Sequence, residues 1–161
     1  MKKKKHVSII ILKHFSVFLM LLYMASLLFF TKTSTANFAD VQKATMENVN
    51  MQVVKQAENR LIKRFYGLDA TNYANIILFY PVTNMGAEEI FLVQLHDQAQ
   101  SADVVEAIER RLTAQKKSFE GYGVEQTELL NNSIISVRGN YILFVVNSDA
   151  KEIDQAFRDS L

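Results

Sequence analysis

The sequence predicts an α+β domain, with about four mostly antiparallel strands in two hairpins and helices on both faces, carried behind one N-terminal transmembrane helix. Three observations predict it. A charge-free apolar run, Phe15 to Phe30, follows a block of lysines. Two pairs of strand-like segments are each broken by turn residues, and stretches of helical periodicity surround them. The strand-like segments Ile76 to Tyr80 and Tyr141 to Val146 are apolar at nearly every position, which requires cover on both faces of the sheet.

The N-terminus divides into a basic segment, residues 1–6, and a signal-anchor, residues 7–30. Ten residues of Phe15 to Phe30 are Phe, Leu or Val, worth roughly 3 to 6 kcal/mol of insertion energy before Ser and Tyr are counted against it. A span of about 20 residues carries the helix back to Val7 or Ile9, with Lys13 snorkelling to the cytoplasmic interface. Lysines precede the run and only Lys32 closely follows it, so the N-terminus stays inside and residues 37–161 are extracytoplasmic. Ser34-Thr35-Ala36 also fits a small-x-small cleavage site, which leaves a cleaved secreted form as the alternative. Both export the domain. Residues 31–36 read as a linker.

Within residues 37–161, Phe38 to Asn48 reads as a short helix. Met51 to Phe65 reads as a second, with Val53, Val54, Ala57, Leu61 and Phe65 on one face, ended by Gly67. Arg60, Lys63 and Arg64 near its end complement the helix dipole. Asn75 to Tyr80 and Ile90 to His96 form the first hairpin, across a turn containing Asn84 and Gly86. Ala102 to Phe119 is the longest helix, with Ser101 as N-cap. Glu125 to Leu130 adds a helical turn. Ser133 to Val137 and Tyr141 to Asn147 make a tight hairpin, and Ala150 to Ser160 ends the chain behind an Asp149/Glu152 capping box. The helices before the first hairpin are expected on one face of the sheet and those after it on the other.

Composition removes several function classes. The chain has no Cys, so thiolate metal sites, cysteine nucleophiles and lipoprotein acylation are excluded. From Asn37 onward twelve of the 18 basic residues face all 17 acids, a net of −5, which disfavours nucleic-acid binding. No phosphate loop, dinucleotide fingerprint, Gly-x-Ser-x-Gly elbow or His-Glu-x-x-His run is present, and no cofactor or metal is expected. His96 alone makes neither a metal site nor a triad.

Arg111 and Gln115, four apart, fall at the rim of the apolar face of the Ala102 to Phe119 helix, which Val104, Val105, Ile108, Leu112 and Phe119 set. Polar groups there need partners, and Glu88 or Glu89 at the start of the second strand is the expected acid for Arg111. If the group binds a ligand, Arg111, Gln115, Glu89 and Tyr122 form the set, as an anion clamp with an aromatic wall.

The ordered pieces Tyr66-Gly67-Leu68-Asp69, Ala87-Glu88-Glu89-Ile90, Arg111-Leu112 with Gln115, Ser118-Phe119 and Tyr122, Glu125-Gln126, and Gly139-Asn140-Tyr141 resemble the domain of unknown function 4358 found in Firmicutes-type bacteria. The resemblance runs from about Phe38 to Phe157. It implies a small envelope protein, often a lipoprotein, with no assigned activity and hence no catalytic residues to transfer. The missing lipobox cysteine fits a transmembrane anchor instead. The expected function is a membrane-anchored, non-catalytic module that binds another envelope protein or a small ligand. The alternative is a hydrolase-like envelope enzyme with a cleft lined by Arg111, Glu89, Tyr122 and His96.

Overall fold

The computed structural model describes residues 14–24 and 33–161. The chain forms two units, the second running from Ser34 to Leu161. Residues 14–24 are helical and their apolar side chains are exposed. Most of the expected span 7–30 lies outside the described residues, among which no helix is long and apolar enough to cross a membrane.

The domain is α+β. Its sheet has five antiparallel strands: β1 Val54–Gln56, β2 Asn75–Pro81, β3 Glu89–Gln94, β4 Ile134–Arg138 and β5 Tyr141–Val146, in the order β1-β2-β3-β5-β4. The two expected hairpins, β2–β3 and β4–β5, join through β3 and β5, with Phe91 opposite Phe144. These two central strands are buried almost throughout, as their unbroken apolar sequences require. The helices are α1 Phe38–Met46, α2 Asn59–Tyr66, α3 Ser101–Phe119, α4 Val124–Asn131 and α5 Ala150–Asp159.

The fifth strand corrects the reading of Met51 to Phe65 as one helix. Lys55 pairs with Tyr80 and Gln56 with Phe79, and the ladder continues as Ala57 N–H donates to the Leu78 carbonyl at 2.8 Å. The β-branched pair Val53-Val54 costs a helix little to lose, and an otherwise open edge of β2 offers it hydrogen bonds. The helix that remains buries Ile62 and Tyr66, not Leu61 and Phe65. It ends at Gly67, whose φ of 75° places it in the left-handed region that favours glycine.

The layering also differs from the expected division by sequence order. Side chains of one parity, including Phe91, Val93, Ile142 and Phe144, pack under α2, α3 and α4. Those of the other parity, including Ile90, Leu92, Leu143 and Val145, pack against α1 and α5. The first and last helices of the domain therefore share one face. The stretch expected as linker is tied to the domain from Ser34 onward: Ser34 N–H donates to Asn140 Oδ1 at 2.9 Å, and the Tyr141 hydroxyl donates to the Ala36 carbonyl at 2.8 Å.

Two caps differ as well. Asp149 makes no side-chain cap, so the Asp149/Glu152 box is not formed; instead its N–H donates to Asn147 Oδ1. Ser101 is the first residue of α3, and the capping box lies one short turn upstream, between Asp97 and Gln100.

Candidate functional site

The site is built where the start of β3 meets the middle of α3. Strand parity selects between the two glutamates: Glu89 shares its face with Phe91 and Val93 and points under α2 and α3. Glu88 turns away, and its carboxylate accepts from the Ala87 N–H at 3.0 Å. Glu89 is 0% exposed. On α3 the buried residues Val104, Ala107, Ile108, Gln115 and Phe119 follow the 3.6-residue period. Gln115 thus lies on the buried stripe, while Arg111, its side chain 18% exposed, stands at the rim.

Arg111 holds Glu89 through a two-pronged bond, Nε to Oε1 at 3.1 Å and Nη2 to Oε2 at 2.7 Å. Gln115 Nε2 donates to Oε2 at 3.0 Å, and the Tyr66 hydroxyl donates to Oε1. Four donors fill the acceptor sites of one carboxylate. This satisfies the requirement on any buried charge, that it be paired and hydrogen-bonded. Tyr66 stacks on Phe91 with ring centroids 4.0 Å apart, and the Arg111 guanidinium lies 4.3 Å from the centre of the Phe65 ring. The guanidinium is thereby sandwiched between an aromatic face and a carboxylate.

The electrostatics follow from burial and charge together. Burial, and then the Glu89 charge, push the Tyr66 phenol well above its ordinary value, so it remains a donor. Burial alone would pull the Arg111 guanidinium down; the hydrogen bonds to Glu89 and that carboxylate's charge outweigh it and hold the group above its ordinary value. Gln115 is oriented by its neighbour. A carboxylate only accepts, so the amide nitrogen must face Glu89, which leaves Gln115 Oε1 buried with no partner among the described residues. Leaving such an acceptor unmet costs about 1 to 3 kcal/mol.

Beside this cluster opens a cleft of about 290 Å³. Arg111, Gln115 and Ser118 of α3 form one wall, and Lys55, Thr83 and Asn84 the other, with aromatic surface from Phe65, Tyr80 and Phe119. Its walls contain no carboxylate. A second cleft of about 390 Å³ shares Phe65 and Arg111 with the first and is lined also by Arg64 and by Arg110, which pairs with Glu106.

Of the four residues expected to act together, three meet: Arg111, Gln115 and Glu89. Tyr122 does not join them. It is 60% exposed, with its ring 5.9 Å from Phe119, and does not line the cleft. His96 follows the opposite end of β3 from Glu89, is exposed, and donates its backbone N–H to Gln100 Oε1. Tyr66 is the member that sequence reasoning missed. Its signal was the spacing of four from Ile62 immediately before a helix-ending glycine. Among the described residues no group of three or more His, Cys, Asp or Glu is placed to hold a metal ion.

The fold and this cluster define a small α+β domain whose central sheet carries a buried glutamate clamped to a covering helix. The chain belongs to the family of the Domain of unknown function (DUF4358), whose model matches residues 47–147, well over half of the 161. No curated protein and no solved structure matches it.

Proposed function

We propose that the protein is a membrane-anchored, non-catalytic binding module of the bacterial cell envelope. Residues 7–30 hold it in the membrane with the N-terminus inside, and the domain outside presents the cleft beside Arg111 to an envelope protein or small ligand. One observation carries the reading: the groups capable of acid–base work are engaged with one another, while an open, carboxylate-free cleft lies next to them. A carboxylate holding four donors is poorly placed to take a proton from a substrate, yet well placed to fix the wall of a binding cleft. His96 and Tyr122 lie outside that cleft, which weakens the hydrolase-like alternative. The hydrogen bonds of Ser34 and Ala36 to the domain favour the uncleaved anchor, because cutting after Ala36 would remove them.

A photo-crosslinking residue at Thr83, exposed on the cleft wall, tests the binding role in cells. A discrete adduct is expected at Thr83 and absent from a control position on the exposed side of α5 such as Lys151. Equal labelling at both positions, or none at either, counts against it. Protease added to intact protoplasts should digest the domain, and full protection would refute the extracytoplasmic placement.

A further inference from the structure

The two edges of the sheet are built differently. β1 closes one edge with three residues and carries Lys55 at its centre, the kind of short, lysine-bearing strand with which natural sheets discourage further pairing. β4 closes the other with five residues, Ile134 to Arg138, and holds no Lys, Pro or acid. Among the described residues β4 pairs with β5 alone. It also contains Val137, 39% exposed, the one exposed large hydrophobic that lies within a described strand.

Which peptide groups of β4 face outward follows from the ladder. Leu95 N–H donates to the Asn140 carbonyl at 2.8 Å, so Asn140, and with it every second residue of β5, turns its peptide groups toward β3. Tyr141, Leu143 and Val145 then turn theirs toward β4, where they meet Arg138, Ser136 and Ile134. Ile135 and Val137 are left with N–H and C=O groups directed away from the sheet. Apart from the Arg138 guanidinium, 3.4 Å from the Val137 carbonyl, nothing among the described residues hydrogen-bonds to these groups.

This edge is complementary to itself. A two-fold axis through Ser136, normal to the sheet, sets Ile135 opposite Val137 of a second copy and Val137 opposite its Ile135, each pair exchanging two backbone hydrogen bonds. Every outward group of β4 is then used. The paired side chains are β-branched on both sides and share one face, where they pack well on a pleated surface. Arg138 stands opposite Ile134, so no like charges meet, whereas β1 paired with itself would set Lys55 against Lys55. We infer that β4 pairs antiparallel with β4 of a second copy, joining two sheets of five strands into one continuous sheet of ten. Both remaining edges are β1, so the assembly closes at two copies instead of growing. Lys55 of the cleft lies at those outer edges, and pairing leaves each cleft open.

The chain has no Cys, so a single introduced thiol reports on one contact. At the axis the two Ser136 residues form a non-hydrogen-bonded pair with Cα atoms about 4.5 Å apart, within the range of about 4.4 to 6.8 Å that a disulfide spans. The full chain, purified in mild detergent, oxidised and run without reductant, should give a disulfide-linked dimer for Ser136→Cys and none above background for Lys55→Cys. Val137→Lys changes an exposed side chain to the one that blunts natural edges; added to Ser136→Cys, it should suppress the link at an unchanged melting temperature. Val137→Pro removes an outward N–H and no bond of the β4–β5 ladder, and should suppress it as well. The Ile135 amide should be protected from hydrogen exchange in the unsubstituted chain and lose that protection in Val137→Lys. No link at Ser136→Cys overturns the inference, as do equal links at both positions, which contact through the N-terminal segments alone would give. Links that survive both Val137 substitutions overturn it too, and so does protection of Ile135 without the link, which would put a different segment on the edge. In whole cells a photo-crosslinker carried on Ser136→Cys should yield the homodimer; an adduct with another protein in its place would assign the edge to that protein and refute self-pairing.

Discussion

The two faces of the sheet are held by different chemistry. Under α2, α3 and α4 the packed aliphatic and aromatic side chains surround one ionic cluster centred on Glu89. Under α1 and α5 the contacts are those of Val41, Ile90, Leu92, Leu143, Ile153 and Phe157, and the charged residue that α5 buries, Asp154, pairs with Arg158 one turn away at 3.2 Å. The family match at residues 47–147 takes in the helices of the ionic face, whereas α1 and α5 fall outside it. An apolar face needs only suitable volume and pattern. A buried carboxylate also needs its donors in fixed places, so the ionic face is the one that constrains sequence most tightly.

The sharpest way to break this contrast is to open the ionic cluster from either side. Arg111→Leu leaves Glu89 buried without its cation, and Glu89→Ala leaves Arg111 without its anion; each should cost about 3 to 5 kcal/mol, since an unpartnered buried charge loses more than the pair contributed. Replacing both at once, as Glu89→Ala with Arg111→Leu, should cost clearly less than the sum of the two single losses. Urea denaturation of the four proteins forms the cycle. Additive losses in the double variant would show that the two residues do not act as a pair.

Tyr66→Phe is a gentler cut in the same cluster. It keeps the stack on Phe91 and removes one donor from Glu89 Oε1, a loss of about 1 to 3 kcal/mol at neutral pH. The pH dependence has a definite sign. Folding raises the Tyr66 value, so its contribution is complete below the ordinary tyrosine range and is lost as pH rises through that range toward the folded value. The variant should therefore show a shallower alkaline loss of stability. Some slope remains, because burial also raises Tyr73 and Tyr141. An unchanged alkaline slope would mean that Tyr66 ionises as easily folded as unfolded.

On the apolar face the matching probe is Ile153→Val, which should cost about 0.5 to 1.5 kcal/mol. It should shift stability by the same amount in low and high salt and across neutral to alkaline pH, because no charge changes partner. A salt-dependent loss there would erase the distinction between the faces.

How far these faces were legible in the sequence depended on what carried each signal. The central strands were legible because unbroken apolar runs have only one comfortable place, the middle of a covered sheet. β1 was not, since three residues of strand next to a helix leave no period to detect and its pairing comes from the distant Phe79 to Pro81. Arg111 and Gln115 were legible as anomalies on an apolar helix. Choosing Glu89 over Glu88 required knowing which parity faces α3, and β3 is apolar in both parities. Tyr66 was hidden for a related reason: a tyrosine between Phe65 and Gly67 looks like ordinary core until its hydroxyl is seen at the carboxylate. The pairing of α1 with α5 is a long-range contact between the ends of the domain, and no local pattern encodes it.

The smallest effect concerns the same ion-pair chemistry moved into solvent. Lys63 and Asp69 pair at 3.1 Å across the Gly67 cap, both well exposed. Asp69 also accepts from the Thr71 hydroxyl and N–H at 2.8 and 3.2 Å. Those Thr71 hydrogen bonds and Lys63 hold its carboxyl below the ordinary aspartate range. A lowered value contributes stability that is present above the unfolded value and lost as pH falls through the folded one. Asp69→Asn should therefore produce a slight loss at neutral pH that disappears in acid, where the native carboxyl is protonated as well. High salt should shrink the part due to Lys63 and leave the Thr71 part, because screening acts on exposed charges more than on short local hydrogen bonds. Melting curves of both proteins at two pH values and two salt concentrations separate these contributions. A loss as large as that of Arg111→Leu would show that exposure, and not pairing alone, had been given too much weight in distinguishing the two ion pairs.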